Sequence, residues 1–135
     1  AVMSLGADGV QVGSRFAASV ESSAHANFKE TILKVNEGGT QLTLKELAPV
    51  RLIKNKFYQD VQDLYQKCPT KEELVALLGR ARSKRGMFEG DLIEGELEIG
   101  QIAGIIHEIK PAAEIVEEMI SDFEKARKDV TNFQF

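Results

Sequence analysis

The stretch "ADGVQVGSRFAASVESSAH", residues 7–25, decides how this chain is read. Gly9–Val12 has the length of a short strand, with Val10 and Val12 facing one way and Gln11 the other. It runs directly into Gly13-Ser14-Arg15-Phe16, and a helix start follows. Strands of a parallel sheet present ligands to the loops at their C-terminal ends in this way. The N–H groups of a Gly-Ser turn and the serine hydroxyl together make an anion site, and Gly13 lets the backbone come close to an oxyanion. The plainer alternative is a strand that ends in a tight turn. One strand is no parallel sheet, and the remainder of the chain reads as mainly helical.

Upstream, Ala1–Leu5 reads as the last turns of an amphipathic helix, and Gly6 suits the left-handed position past its end. Downstream, Ser22 or Ser23 caps a helix whose apolar residues are Ala24, Phe28, Ile32 and Val35, stopped by Gly38-Gly39. Thr40–Leu44 and Val50–Ile53 are short strand candidates. Asn55 caps a helix with Phe57, Val61, Leu64, Tyr65 and Cys68 on its buried stripe, ended by Pro69. Thr70 and Glu73 form a capping box, followed by the apolar face Leu74, Leu77, Leu78 and Ala81, with Gly86 closing the helix. Four glycines and five carboxylates over residues 86–100 predict a loop. A short helix is expected near Gln101, and Pro111 is expected as the first residue of the last helix. Ile115, Met119, Ile120, Phe123, Ala126 and Val130 give that helix its stripe. Its acids Glu114, Glu117 and Glu118 come early and its bases Lys125, Arg127 and Lys128 late, as the helix dipole favours.

Composition bounds the reading. At 135 residues there is room for one domain with a modest core. A net charge of -4 does not favour nucleic acid or an anionic membrane. The single Cys68 excludes an internal disulfide, which suits the cytoplasm. No membrane-length apolar run and no signal-peptide pattern are visible. The mid-helix character of Ala1–Leu5 reads as a cut within a longer chain.

The order helix, Gly, strand, Gly-Ser, helix matches the end of a (β/α)8 barrel, where the loops after strands seven and eight commonly form a phosphate site. If Gly9–Val12 is strand eight, the other strands lie upstream of Ala1.

Three stretches carry a resemblance to the C-terminal part of the nitronate monooxygenase (2-nitropropane dioxygenase) family, which includes the flavin-dependent enoyl-acyl-carrier-protein reductase II. "LGADGVQVGSRF" (Leu5–Phe16) resembles the family's strand-eight segment. "ESSAHANFKE" (Glu21–Glu30) is similar to the Glu-Ser…Ala-His…Lys pattern that follows it. "GDLIEGELEIGQIAGIIHEIKPAAEIVEEM" (Gly90–Met119) resembles the Gly-Gln-x-Ala-Gly segment and the terminal helix. With "VRLIKNKF" (Val50–Phe57), the match runs in order along nearly the whole chain.

The resemblance implies an α/β fold: the C-terminal part of a TIM-like barrel, contributing its last strand, plus a mostly helical small domain. Residues 1–39 would be the last strand and its flanking helices, 40–100 a small helical domain or insertion, and 101–135 helices returning to the barrel. The implied cofactor is FMN. Gly13 and Ser14 would contact its phosphate, and Gln11 occupies the family's Gln just before them. Gly100, Gln101, Ala103 and Gly104 would border the flavin and substrate cleft, with Ile99 where many members carry Ala. The family's catalytic histidine lies in an Ala-Gly-Gly-His motif, and neither that motif nor the Gly-Gly after strand seven has a match in the chain.

Other candidates have plainer readings. His25 reads as structural at a helix start, and His107 as near the surface before the last helix. Two distant histidines make no metal site. Glu89, Asp91, Glu94, Glu96 and Glu98 lack calcium-loop spacing and read as a solvated loop. "GRARSKRG" (Gly79–Gly86) suits a helix C-terminus, with contact to a phosphorylated cofactor or an acyl-carrier surface as the alternative. Without interleaved aromatics it does not read as a nucleic-acid surface. Cys68 reads as buried rather than nucleophilic.

The expectation is therefore the C-terminal segment of an FMN-dependent oxidoreductase of the nitronate monooxygenase type, cytoplasmic and homo-oligomeric, acting on a small molecule. Enoyl-acyl-carrier-protein reduction is the alternative within the family. A non-catalytic helical fragment that self-associates is the alternative of another class.

Overall fold

Thr40–Thr43 (β1) and Val50–Ile53 (β2) pair antiparallel, Thr40 opposite Ile53 and Thr43 opposite Val50. They form the one sheet among the described residues, which in this computed structural model are 1–132. Both strands lie where the alternation predicts them, the first one residue shorter. The outer edge of β2 is zipped to a third segment: the Ile53 N–H donates to the Leu97 carbonyl at 2.9 Å and the Ile99 N–H to the Arg51 carbonyl at 3.1 Å. Residues 97–99 thus add a short antiparallel strip where a loop is expected.

Gly9–Val12 is not a strand. A strand exists by virtue of its ladder, and no backbone among the described residues pairs with these four. Gly6 is left-handed (φ 96°) as expected, but the turns before it shrink to a 3-10 turn, Met3–Leu5.

Among the described residues there are five α-helices: α1 (Ser14–Ala17), α2 (Ala26–Ile32), α3 (Lys56–Tyr65), α4 (Lys71–Leu78) and α5 (Ala112–Thr131). The α2 cap is His25, whose Nδ1 accepts the Asn27 N–H at 3.1 Å. The expected serines do not cap it; Ser22 Oγ instead accepts the Ala24 N–H in a local turn. The α3 and α4 caps are as read: Asn55 accepts from the Tyr58 N–H, and the Thr70–Glu73 box closes in both directions.

Several ends differ from expectation. α4 stops at Gly79 (φ 66°), leaving Ala81 exposed and off the apolar face. Arg82 accounts for the stop: its guanidinium donates to the Leu77 and Leu78 carbonyls and lies over the Phe57 ring. A π-helical turn, Lys84–Phe88, occupies part of the predicted loop. Gly86 is buried in that turn, packed so closely on residues 95–97 that a Cβ on it would lie 2.6 Å from the Glu96 carbonyl oxygen. Cys68 is exposed, since α3 has ended and the chain turns with φ 52°. Pro111 caps α5 rather than opening it.

Two apolar cores result. One joins Ala18, Phe28, Ile32, Val35, Ile53, Leu97, Ile99, Ala103 and Ile106. The other joins Leu44, Leu52, Phe57, Val61 and Leu74 beneath α3 and α4. The α5 stripe stays largely open: Ile115 is buried, while Val116, Met119, Ile120 and Phe123 are exposed. With Val2, Met3, Val10, Val12 and Phe16 they line an apolar groove of about 490 Å³. Among the described residues no helix is long and apolar enough to cross a membrane.

Candidate active site

Gly13 begins the site. Its carbonyl accepts from both the Phe16 and Ala17 N–H groups at 3.0 Å, which winds Ser14–Ala17 into a single turn. That turn points the Ser14 hydroxyl at the backbone of Gly100, whose N–H donates to Ser14 Oγ at 2.9 Å across 86 positions of sequence. Gly100 reaches this place because residues 97–99 are held along β2. It then caps the 3-10 helix Gln101–Ile105, so the short helix expected near Gln101 is present.

More bonds fasten the same seam. Arg15 donates to the Glu108 carbonyl at 3.1 Å, and the Val20 N–H to the Lys110 carbonyl at 3.0 Å. The Glu21 carboxylate accepts the Ala112 N–H at 2.8 Å, a negative charge at the α5 N-terminus where the dipole favours it. Lys29 holds the loop between from below, its Nζ donating to the carbonyls of Ser19, Val20 and Ser22. Lys29 is the Lys of the Glu-Ser…Ala-His…Lys pattern, to which the resemblance assigns no role. The available signal was a lysine on the buried face between Phe28 and Ile32.

Ser14 and Gly100 border a shallow, open depression of about 370 Å³, shared with Pro49, Val50, Arg51, Glu98 and Ile99. Arg51 is tied to the Thr40 carbonyl and hydroxyl, both at 3.3 Å. Among the described residues the Ser14 hydroxyl donates to no acceptor, so its hydrogen is free for a ligand. A Cβ on Gly13 would meet nothing within 4 Å, so a ligand has open approach there. A free donor beside an unobstructed backbone suits a phosphate oxygen.

Gln101, Ala103 and Gly104 follow Gly100 in the same 3-10 helix, beside the Ser14 turn. Gln11 and Gln101 are exposed. Ala103 is fully buried in the first core, and Gly104 lies against the Asn36 backbone, where a Cβ would make ordinary contact at 3.4 Å. His25 is the α2 cap and His107 is exposed.

The carboxylates are not a solvated loop, because most are already engaged. Asp91 accepts the Ile93 and Glu94 N–H groups and pairs with Arg85, and the Glu94 amide, first among these donors, holds its carboxyl below the usual range. Glu94 faces Lys56 and Arg82. Glu96 is buried, and burial, aided by the Glu98 charge, pushes its carboxyl up to about 7. Among the described residues no three His, Cys, Asp or Glu side chains could hold a metal. The basic run is similarly occupied, Arg82 with α4 and Glu94, Lys84 with Glu89, and Arg85 with Asp91.

Comparison with known proteins gives this geometry a setting. The family model described as nitronate monooxygenase matches residues 1–122. A probable nitronate monooxygenase of Bacillus subtilis (strain 168) is 51% identical over 43 residues, 32% of this chain and 12% of that protein. Among solved structures, FabK from Thermotoga maritima is 34% identical with a TM-score of 0.84, over 98% of this chain and 42% of its own. A FabK mutant from the same organism is 33% identical with a TM-score of 0.80, over 98% and 39%. The chain thus spans about two fifths of the solved relatives, and the 43 matched residues span about an eighth of the curated one. The likeness bears out the fold class: a mainly helical portion of a TIM-like α/β barrel enzyme. On the match over residues 1–122, the chain belongs to the nitronate monooxygenase family.

Proposed function

We propose that this chain supplies part of the cofactor site of an FMN-dependent oxidoreductase that oxidises nitronates. The observation that carries the reading is the Ser14–Gly100 hydrogen bond, which joins the turn expected to hold phosphate to the Gly-Gln segment expected to border the cleft. Ser14 would donate its free hydroxyl hydrogen to a phosphate oxygen, and Gly13, without a side chain, would leave the anion room. Gln11 and Gln101, both exposed, would offer amides to the cofactor and to the substrate respectively. FMN, when bound, supplies the redox chemistry, and these residues only hold and orient.

Residues 1–39 and 101–135 are assigned to the barrel and 40–100 to the small helical domain. The second core, Leu44–Leu74, lies within 40–100, while Ile53, Leu97 and Ile99 of that segment join the first core. The protein is assigned to the cytoplasm, as a homo-oligomer. Reduction of an enoyl thioester is the second reading, because the resemblance carried by Gly13, Ser14 and Gly100–Gly104 is common to both activities. The test is a steady-state assay of the full-length protein with a nitronate and with an enoyl thioester, for the parent and Gln101→Ala. Turnover of the nitronate, lowered by Gln101→Ala while flavin is retained, is the expected result. Turnover of neither substrate overturns the proposal.

A further inference from the structure

We infer that Gly100 is a positioning residue for the phosphate end of the cofactor, acting through Ser14; this rests on the reading above. Gly100 has φ −69° and ψ 162°, an ordinary extended backbone open to any residue. Glycine is not needed there for its dihedral freedom. It is needed for space: a Cβ at position 100 would stand 2.5 Å from Ser14 Oγ, and the next nearest atom, Ser14 Cβ, is 3.7 Å away. The residue without a side chain is therefore matched to one atom, the Ser14 oxygen.

That atom's state follows from the contact. A serine hydroxyl has one hydrogen to give and two lone pairs to receive with. The Gly100 N–H occupies one lone pair at 2.9 Å and fixes where Oγ sits. The hydrogen has no acceptor among the described residues, so the hydroxyl stands as a preset donor at the depression it shares with Gly100. A side chain at 100 would push Oγ aside and misdirect that hydrogen without itself reaching the ligand. Misplaced donors lose most of their value toward a charged acceptor.

The test is a double-variant cycle in the full-length apo-protein, titrated by flavin fluorescence with FMN and, separately, with riboflavin, which lacks the phosphate. Ser14→Ala is expected to weaken FMN binding about ten- to hundredfold and to leave riboflavin binding unchanged. Gly100→Ala is expected to weaken FMN binding about tenfold, again sparing riboflavin. In the Ser14→Ala background, Gly100→Ala is expected to add nothing, since the oxygen it would strike is gone. The added Cβ meets only the end of the flexible Ser14 side chain, so Gly100→Ala is expected to fold, and thermal unfolding beside the parent checks this before the titration. Equal loss of FMN and riboflavin, no loss of FMN, or full additivity with Ser14→Ala overturns the positioning role while the phosphate site stands. Unchanged FMN affinity in Ser14→Ala removes the phosphate assignment, and this inference with it.

Discussion

The Lys29 ammonium donates to the Ser19 carbonyl at 2.7 Å, in the interior and without a carboxylate among its hydrogen-bond partners. It also donates to the Val20 and Ser22 carbonyls, at 3.2 and 2.7 Å. A single cation thus supplies the donors that the irregular segment 19–22 cannot find in a helix or sheet. The segment it holds carries Glu21 to the start of α5, so Lys29 links the first core to the docking of the last helix.

Replacing Lys29 by Met keeps most of the aliphatic stem and removes all three bonds. Hydrogen bonds from a charged donor are worth more than neutral ones, and the stranded carbonyls add a penalty. The expected cost is on the order of 3 kcal/mol, read from urea unfolding of the full-length protein. A loss below about 1 kcal/mol would mean that water replaces the ammonium.

Glu96 makes stability depend on pH. Its folded-state carboxyl lies at about 7 against an ordinary 4.5, through burial first and the Glu98 charge second, with Arg82 opposing. The folded state therefore holds the proton more tightly than the unfolded state. Its stabilising contribution is complete below about pH 4.5 and is lost as pH rises through about 7. Thermal unfolding at about pH 5 and about pH 8 should show the parent losing stability relative to Glu96→Gln. Parallel behaviour of the two proteins across that range would exclude Glu96 as the source.

The contrast between what was legible in the sequence and what was not has physical causes. Local signals were faithful where the structure answers to local chemistry: the Thr70–Glu73 box, the Asn55 cap, left-handed Gly6 and the paired runs at 40–43 and 50–53. Gly9–Val12 failed as a strand because a ladder needs a second backbone that no sequence window contains. Cys68 and Ala81 fell off their stripes because both helices ended early, α4 under the Arg82 guanidinium. The acids at 91–96 looked solvated, since their partners Lys56, Arg82 and Arg85 lie up to 38 positions away. In the candidate site, the types at Ser14 and Gly100 were readable, but their meeting was not, because the strip along β2 delivers Gly100.

The apolar groove between α5 and the first turn predicts association of the 135-residue chain with itself. Ile120 is 59% exposed and Phe123 45%, beside exposed Val2, Met3 and Val10. A contiguous apolar face of this kind is costly in water and is covered when copies meet. Analytical ultracentrifugation should show concentration-dependent association, abolished by Ile120→Glu with Phe123→Glu. A chain that stays monomeric, or an assembly that survives both substitutions, would contradict this.

If the Gly13-Ser14 turn belongs to an FMN site, the full-length protein carries that cofactor. The full-length protein is purified, denatured by heat, and the released flavin identified by absorbance and mass. FMN in stoichiometric amount is the expected result. A protein that releases FAD, or one that contains no flavin and takes up none when FMN is added, would contradict it.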